Sequence, residues 1–475
     1  MSKDTLPGNL IQNLTFDELS VGQRAQTCRT ISLDDIKAFA LVSGDVNPAH
    51  IDVDHVQGTR FHGVIAHGVW AGALISSLLG NEFPGPGTIY LEQSLRFQRP
   101  VRVGDTLTVT LEVLEKRDGT RDVRLQCAVH NQRAELVVSG EALVKAPSHK
   151  VSRPRAVLPT MRLFDAETRL REWIASLSGH AAVPCAVVHP CDEPSLRGAL
   201  DSRDAGLIVP IIVAPRARLV SVAERAGLSL SSVEIIDSPH SHASAAQAVA
   251  LAAQGRVAML MKGSLHTDEL MEAVLAEPAL RTGRRMSHVF RFEVPTYDRP
   301  LLVTDAAVNI APTLLEKADI LRNAIDLAHA LGLERPRVAL LSAVETVTPK
   351  IASTLDAAAL CKMADRGQIV GAILDGPLAF DNAISLEAAR IKGIDSPVAG
   401  QADILFVPDI EAGNMLAKQL EYLAGAASCG IVLGAQVPIV LTSRADPVMS
   451  RVASAALAGV VHRARAESVI ASTPR

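Results

Sequence analysis

Between residues 106 and 113 the chain alternates strictly, Thr-Leu-Thr-Val-Thr-Leu-Glu-Val, the two-residue period of a strand with one buried face. Asp118 and Gly119 form a turn signal before a second such run at 124–130, and a third follows at 134–144. Ahead of these strands, residues 64–79 are almost continuously apolar and long enough for a buried helix, opened by His67 and Gly68. One buried helix and a curved run of antiparallel strands predict a helix wrapped by a sheet over residues 1–146, an α+β unit. Residues 147–160 hold three prolines among polar residues with no periodicity and read as a linker. From 161 to 475 the texture changes. Short apolar runs at 186–189, 207–213, 258–262, 300–304, 338–342, 404–408 and 438–442 alternate with helical stretches such as 243–253 and 313–330. That alternation predicts an α/β unit with a mostly parallel sheet covered on both faces.

Composition narrows the class without changing this division. The chain has 475 residues, enough for more than one core, with 48% hydrophobic and 21% charged residues, which excludes extended disorder. The net charge of -4 comes from interspersed signs, and no basic block suggests nucleic acid. The six cysteines, Cys28, Cys127, Cys185, Cys191, Cys361 and Cys429, form no C-x-x-C pair and suit free thiols in a reducing compartment. No leader-like segment opens the sequence, and the apolar stretches are too short to span a bilayer. A cytoplasmic protein without membrane contact is the expectation.

Residues 43–50 read Ser-Gly-Asp-Val-Asn-Pro-Ala-His. The turn signal at Asn47 and Pro48 lets Asp45 and His50 leave one loop toward one site. A carboxylate and an imidazole within reach of one water supply the base and acid that hydrating an activated double bond requires. A backbone N–H at a helix start opened by His67 and Gly68 would serve a developing enolate oxygen. The same spacing also suits a helix cap at Asp45 with an ordinary surface histidine. Residues 39–50 together with Val-Ile-Ala-His-Gly at 64–68 resemble the signature of MaoC-like hydratases of the hotdog fold, over roughly residues 15–146. The resemblance implies hydration of trans-2-enoyl-CoA to 3-hydroxyacyl-CoA, with Asp45 and His50 catalytic, Gly68 the oxyanion donor, and Asn47 and Ser76 supporting substrate.

The apolar run at 438–441 leads straight into Thr442, Ser443, Arg444, Ala445 and Asp446. Small and charged residues at the carboxyl end of a strand are where open α/β sheets place ligand contacts. Arg444 suits phosphate, Ser443 can donate to an oxyanion or thiolate, and Asp446 can act as a base. Capping of the following helix by Ser443 or Asp446 fits the local sequence as well. This segment, together with residues 261–267, 302–309, 376–383 and 401–414 in that order, resembles the phosphate acetyl/butyryltransferase family. The resemblance implies exchange of acyl groups between CoA and inorganic phosphate, with Ser443 and Arg444 at the thiol and phosphate. Acetyl-specific members place the catalytic aspartate further beyond the serine than Asp446 lies, which leaves the base open. Lys262 ends a strand and can face phosphate or solvent. Arg281, Arg284, Arg285 and Arg291 are phosphate candidates by charge alone.

His240 and His242 with Asp237 show no further ligand set, so no metal is expected. Neither reaction needs a cofactor beyond its substrates: acyl-CoA, CoA, and inorganic phosphate or acyl phosphate. The whole reads as a bifunctional acyl-CoA enzyme. The alternative is a phosphate acyltransferase whose first domain only binds CoA or oligomerises. A lone hotdog sheet leaves an apolar edge exposed, so a homo-oligomer through both domains is expected.

Overall fold

The computed structural model describes residues 10–156, 165–443 and 445–472. The chain divides into two compact units, Met1–Phe164 and Asp165–Arg475.

In the first unit, strands β1 (Arg24–Thr30), β2 (Ile89–Gln93), β3 (Thr106–Arg117), β4 (Asp122–His130) and β5 (Leu136–Lys145) build an antiparallel sheet in the order β1-β3-β4-β5-β2, with the short strand Arg96–Phe97 also paired to β5. Helix α1 (Leu33–Ser43) follows β1, and α2 (Gly68–Asn81) lies in the sheet's concavity. Trp70, Ala71, Ile75, Leu78 and Leu79 of α2 share one buried cluster with Leu107, Val109, Leu111 and Val113, the apolar half of the alternating run. Each of the Ile, Leu and Val side chains among them contributes roughly 1.5–3 kcal/mol of hydrophobic stabilisation. The helix starts at Gly68 rather than at 64, because Ile65 forms an isolated bridge with Arg102 and His67 serves as N-cap.

The stretch expected to be a linker is, as far as Pro154, laid against this unit. The Pro147 carbonyl accepts from the Phe16 N–H (2.9 Å), and Val151 donates to the buried Asn13 side chain (2.8 Å). Ser152–Pro154 pairs antiparallel with Leu10–Gln12. The sequence correctly lacks a helix here, but the partners lie some 140 residues upstream, beyond the reach of local pattern. Residues 157–160 of that stretch lie outside the described residues.

Among the described residues the second unit carries one 11-stranded sheet. Its strands are β6 (Val183–Val188), β7 (Ile208–Ala214), β8 (Glu234–Asp237), β9 (Met259–Lys262), β10 (Ser287–Glu293), β11 (Leu301–Thr304), β12 (Arg337–Leu341), β13 (Ile373–Leu378), β14 (Ile404–Phe406), β15 (Ala427–Leu433) and β16 (Ile439–Val440). They lie in the order β8-β7-β6-β9-β16-β15-β10-β11-β14-β12-β13. The first five are mutually parallel, as are the last four. Between these blocks the three contacts β16-β15, β15-β10 and β10-β11 are antiparallel, so the second block runs opposite to the first. Apolar clusters on the two faces are covered by helices, including α3 (Thr267–Ala276), α4 (Ile410–Tyr422) and α5 (Val448–Ser472). No helix among the described residues is long and apolar enough to cross a membrane.

Candidate active sites

In the first unit, α1 ends at Gly44, whose left-handed conformation (φ 73°) turns the chain out of the helix. Asp45 follows immediately. Its Oδ1 accepts the Asn47 N–H (3.2 Å), and its backbone carbonyl accepts from His67 Nε2 (3.0 Å). Asn47 caps the one-turn helix Pro48–Ile51 by accepting from Ala49 N–H (3.0 Å), so its side-chain oxygen does structural work. His50, on that turn, bonds through Nδ1 to the Ile65 carbonyl (2.7 Å). A carbonyl only accepts, so Nδ1 carries the proton and neutral His50 keeps the Nε2 lone pair. The same logic puts the proton of neutral His67 on Nε2 and leaves its buried Nδ1 without a hydrogen-bond partner among the described residues. The two rings pack against each other in a tilted contact, 3.8 Å between centroids and 31° between planes.

Atoms of Asp45, His50 and His67 fall within 4.8 Å of one another, the one cluster among the described residues with metal-ligand side chains. The rings are tilted by 31°, and the three side chains come close enough together to hold an ion or to handle a proton around one water. His50 and Gly68 both line a pocket of about 280 Å³ with Arg60, Phe61, Phe97 and Arg99. Gly68 is the first residue of α2, where the backbone N–H has no acceptor within the helix. A Cβ there would press to 3.2 Å from the Phe97 ring. Ser76, expected beside the carboxylate, is exposed two turns along α2 and does not line this pocket.

In the second unit a cleft of about 890 Å³ lies where carboxyl ends of both parallel blocks meet the antiparallel seam. Its walls carry Lys262 from β9, Leu441, Thr442 and Ser443 beyond β16, Ala307 beyond β11, Ile410, Asn414 and Lys418 of α4, and Asp446. Lys262 is only 4% exposed, which excludes the solvated reading, and its Nζ lies 3.5 Å from the Thr442 carbonyl. Ser443 is exposed to the cleft, and its N–H donates to Asp446 Oδ2 (2.7 Å). Burial lifts the Asp446 carboxyl above the ordinary carboxylate range in spite of that hydrogen bond. Burial alone would lower the Lys418 ammonium, but the Glu421 carboxylate at 2.7 Å outweighs it and raises its pKa. Arg451 braces the segment from beneath, donating to Thr442 Oγ1 (2.7 Å) and to the Ser443 carbonyl (2.8 Å). Arg444 lies outside the described residues.

The remaining arginine candidates have local partners. Arg281 donates to the Leu275 carbonyl, Arg284 pairs with Asp326, and Arg285 meets Asn309 and Glu316. Arg281, Arg284 and Arg285 nevertheless line a second pocket of about 400 Å³. Arg291 is buried between Glu293 (2.8 Å) and the Trp173 ring. His240 caps its helix and His242 pairs with Glu269. All six cysteines are free. Sequence reasoning missed His67, Lys418, Arg451 and His288, the last a fully buried histidine in the cleft wall.

Comparison with known proteins identifies the family of each unit. The family model described as "Phosphate acetyl/butaryl transferase" matches residues 221–459, and the one described as "MaoC like domain" matches 18–132. A phosphate acetyltransferase from Rhizobium meliloti is 60% identical over 300 residues, 63% of this chain and 95% of that protein. A branched-chain phosphotransacylase from Enterococcus faecalis V583 superposes with a TM-score of 0.52 at 31% identity, covering 58% of this chain and 99% of that one. The R-hydratase PhaJ1 from Pseudomonas aeruginosa aligns at 47% identity with 33% of this chain and 99% of its own, TM-score 0.32. The chain therefore belongs to the phosphate acetyl/butyryl transferase family and carries a MaoC-like hotdog domain ahead of the region that defines it.

Proposed function

We propose that this chain is a cytoplasmic, bifunctional acyl-CoA enzyme. Its second unit catalyses acyl-CoA + phosphate ⇌ acyl phosphate + CoA, and its first hydrates trans-2-enoyl-CoA to 3-hydroxyacyl-CoA. The observation that carries the transferase reading is the meeting of Lys262, Ser443, Asp446 and Lys418 in one cleft at the carboxyl ends of both blocks. Phosphate is drawn by Lys262 and, in this proposal, by Arg444. Its oxygen attacks the thioester carbonyl, the C–S bond breaks, and Ser443 Oγ donates to the departing thiolate. In the reverse direction Asp446 takes the thiol proton. The protein's contribution is alignment and electrostatic stabilisation, and no cofactor beyond the substrates enters.

For hydration, Asp45 and His50 hold one water; as His50 Nε2 takes its proton the oxygen bonds to Cβ of the double bond, and the proton is then returned to Cα. The Gly68 N–H at the start of α2 stabilises the enolate oxygen. Exposed Ile89, Tyr90 and Leu91 along the unpaired edge of β2 support self-association, and we include a homo-oligomer in the proposal.

Two assays on purified protein test this. Phosphate-dependent release of CoA thiol from acetyl-, butyryl- and longer acyl-CoAs should fall about 10²-fold in Ser443→Ala. Failure of phosphate to release thiol from any of them sinks the transferase. Hydration of a short 2-enoyl-CoA should fall about 10²–10⁴-fold in Asp45→Asn while thiol release is unchanged. A wild-type protein without hydration would leave the first unit a binding domain.

A further inference from the structure

Strand β16 is only two residues long, so past Val440 the residues Leu441, Thr442 and Ser443 run along the transferase cleft without a sheet neighbour to hold them. Side chains hold this backbone instead. The Ser443 N–H donates to Asp446 Oδ2 (2.7 Å), and the Ser443 carbonyl accepts from the Asp446 N–H (3.3 Å) and from Arg451 Nη2 (2.8 Å). Arg451 Nη1 donates to Thr442 Oγ1 (2.7 Å). With the Ser443 peptide groups taken, its hydroxyl is left for the cleft.

Arg451 stands in the first turn of α5 and is 2% exposed. Among the described residues it forms no ion pair, and its Nε has no hydrogen-bond partner. Burial draws its pKa below the ordinary arginine value, although Asp192 and Asp446 lie near enough to favour the charge. A guanidinium stays protonated all the same. A buried cation with no carboxylate in contact is costly, so its two hydrogen bonds need a reason. Both go to residues that line the cleft, and none goes to α5 or to the core. The fold also makes room for the stem. On the neighbouring helix Glu193–Asp204, a Cβ at Gly198 would lie 2.8 Å from Arg451 Cδ and 2.9 Å from its Cβ. The stem therefore lies flush against that helix, and the fork of the guanidinium reaches two acceptors at once, which a single ammonium could not do in the same geometry.

We propose that Arg451 is a positioning residue of the transferase: it does not touch the substrates, and by clamping the Thr442 hydroxyl and the Ser443 carbonyl it aims the Ser443 hydroxyl at the departing thiolate. This rests on the transferase reading above.

The test is phosphate-dependent thiol release by the full chain, with kcat and both KM values measured for Arg451→Met, Arg451→Lys, Ser443→Ala and the Arg451→Met/Ser443→Ala pair. Arg451→Met should lower kcat by about 10- to 10²-fold and leave KM for acyl-CoA and for phosphate within about threefold, as expected when an aligned group is displaced. Arg451→Lys keeps the charge without the fork and should stay impaired by at least about fivefold. In the pair the loss should be no greater than in Ser443→Ala alone, because the arginine acts through that hydroxyl. Losses that multiply, a risen KM with kcat intact, or a smaller impairment in Arg451→Lys each overturn the proposal. Should Arg451→Met fail to fold, Gly198→Ala carries the same test, since it keeps every donor and crowds the stem. It should lower kcat in the wild-type background and not on top of Ser443→Ala; an undiminished rate, or an equal loss in both backgrounds, overturns the proposal. A wild type that releases no thiol overturns the transferase reading, and this proposal with it. Release that Ser443→Ala leaves unimpaired overturns this proposal while the transferase stands.

Discussion

Asp45 accepts the Asn47 N–H and stands exposed outside the lining of the pocket, while His50 commits Nδ1 to the Ile65 carbonyl and lines it. This fixes a tautomer that a loop could not otherwise hold. Asp446 is held differently: one oxygen takes the Ser443 N–H, and burial makes its charged form harder to reach. The sign of the pH effect follows. A base with a raised pKa is protonated, and idle, over a wider acidic range. The acyl phosphate–forming direction needs no thiol deprotonation, whereas formation of acyl-CoA does. The rate of the latter should rise with pH through an apparent pKa above about 3.9, the unperturbed aspartate value. Asp446→Asn should remove that rise, and a pH–rate profile of acyl-CoA formation with each protein checks it. A rise of the same midpoint in the variant would assign the proton to another group.

At the scale of elements, β2 is the one to test. It pairs on one side with β5, and Ile89 and Leu91 stand exposed at the end of the sheet. Leu91→Glu should shift sedimentation toward a smaller species at unchanged circular dichroism, because a charge on that edge opposes burial by a second copy. An unaltered sedimentation coefficient would place any self-association elsewhere. Elements also mark how far the sequence could be read. The alternation at 106–113 became β3 with the predicted face buried, and the apolar runs near 186, 208, 259, 301, 338 and 404 became parallel strands. Strands β10 and β15 escaped notice. They carry Ser287, His288 and Arg291, and Ser428, Cys429 and Gly430, so neither is an apolar run. Those two strands form the antiparallel seam and position part of the cleft. His288 packs against Gly430, 142 positions away in the chain, and His67 joins the site through its ring contact with His50. Motif spacing reports local geometry; contacts across a sheet leave no such trace. Ser76 is exposed on α2 and does not line the pocket that Gly68 enters.

The whole molecule has separate cores. The first unit's apolar cluster is built from α2 and the sheet around it, and the second unit's clusters draw on residues from 170 onward. Calorimetry should therefore resolve two transitions. Ile75→Ala, which empties a fully buried position of α2, should lower one of them by the equivalent of about 2–5 kcal/mol and leave the other in place. A single transition that moves as one would mean that the units unfold together. The pairing of Leu10–Gln12 with Ser152–Pro154 has a bearing on how such a chain arises. Near both ends of the first unit's described residues the chain runs in adjacent strands about 5 Å apart. A unit closed by such a pairing can be gained or lost by a gene as one cassette, with no described strand torn from either sheet.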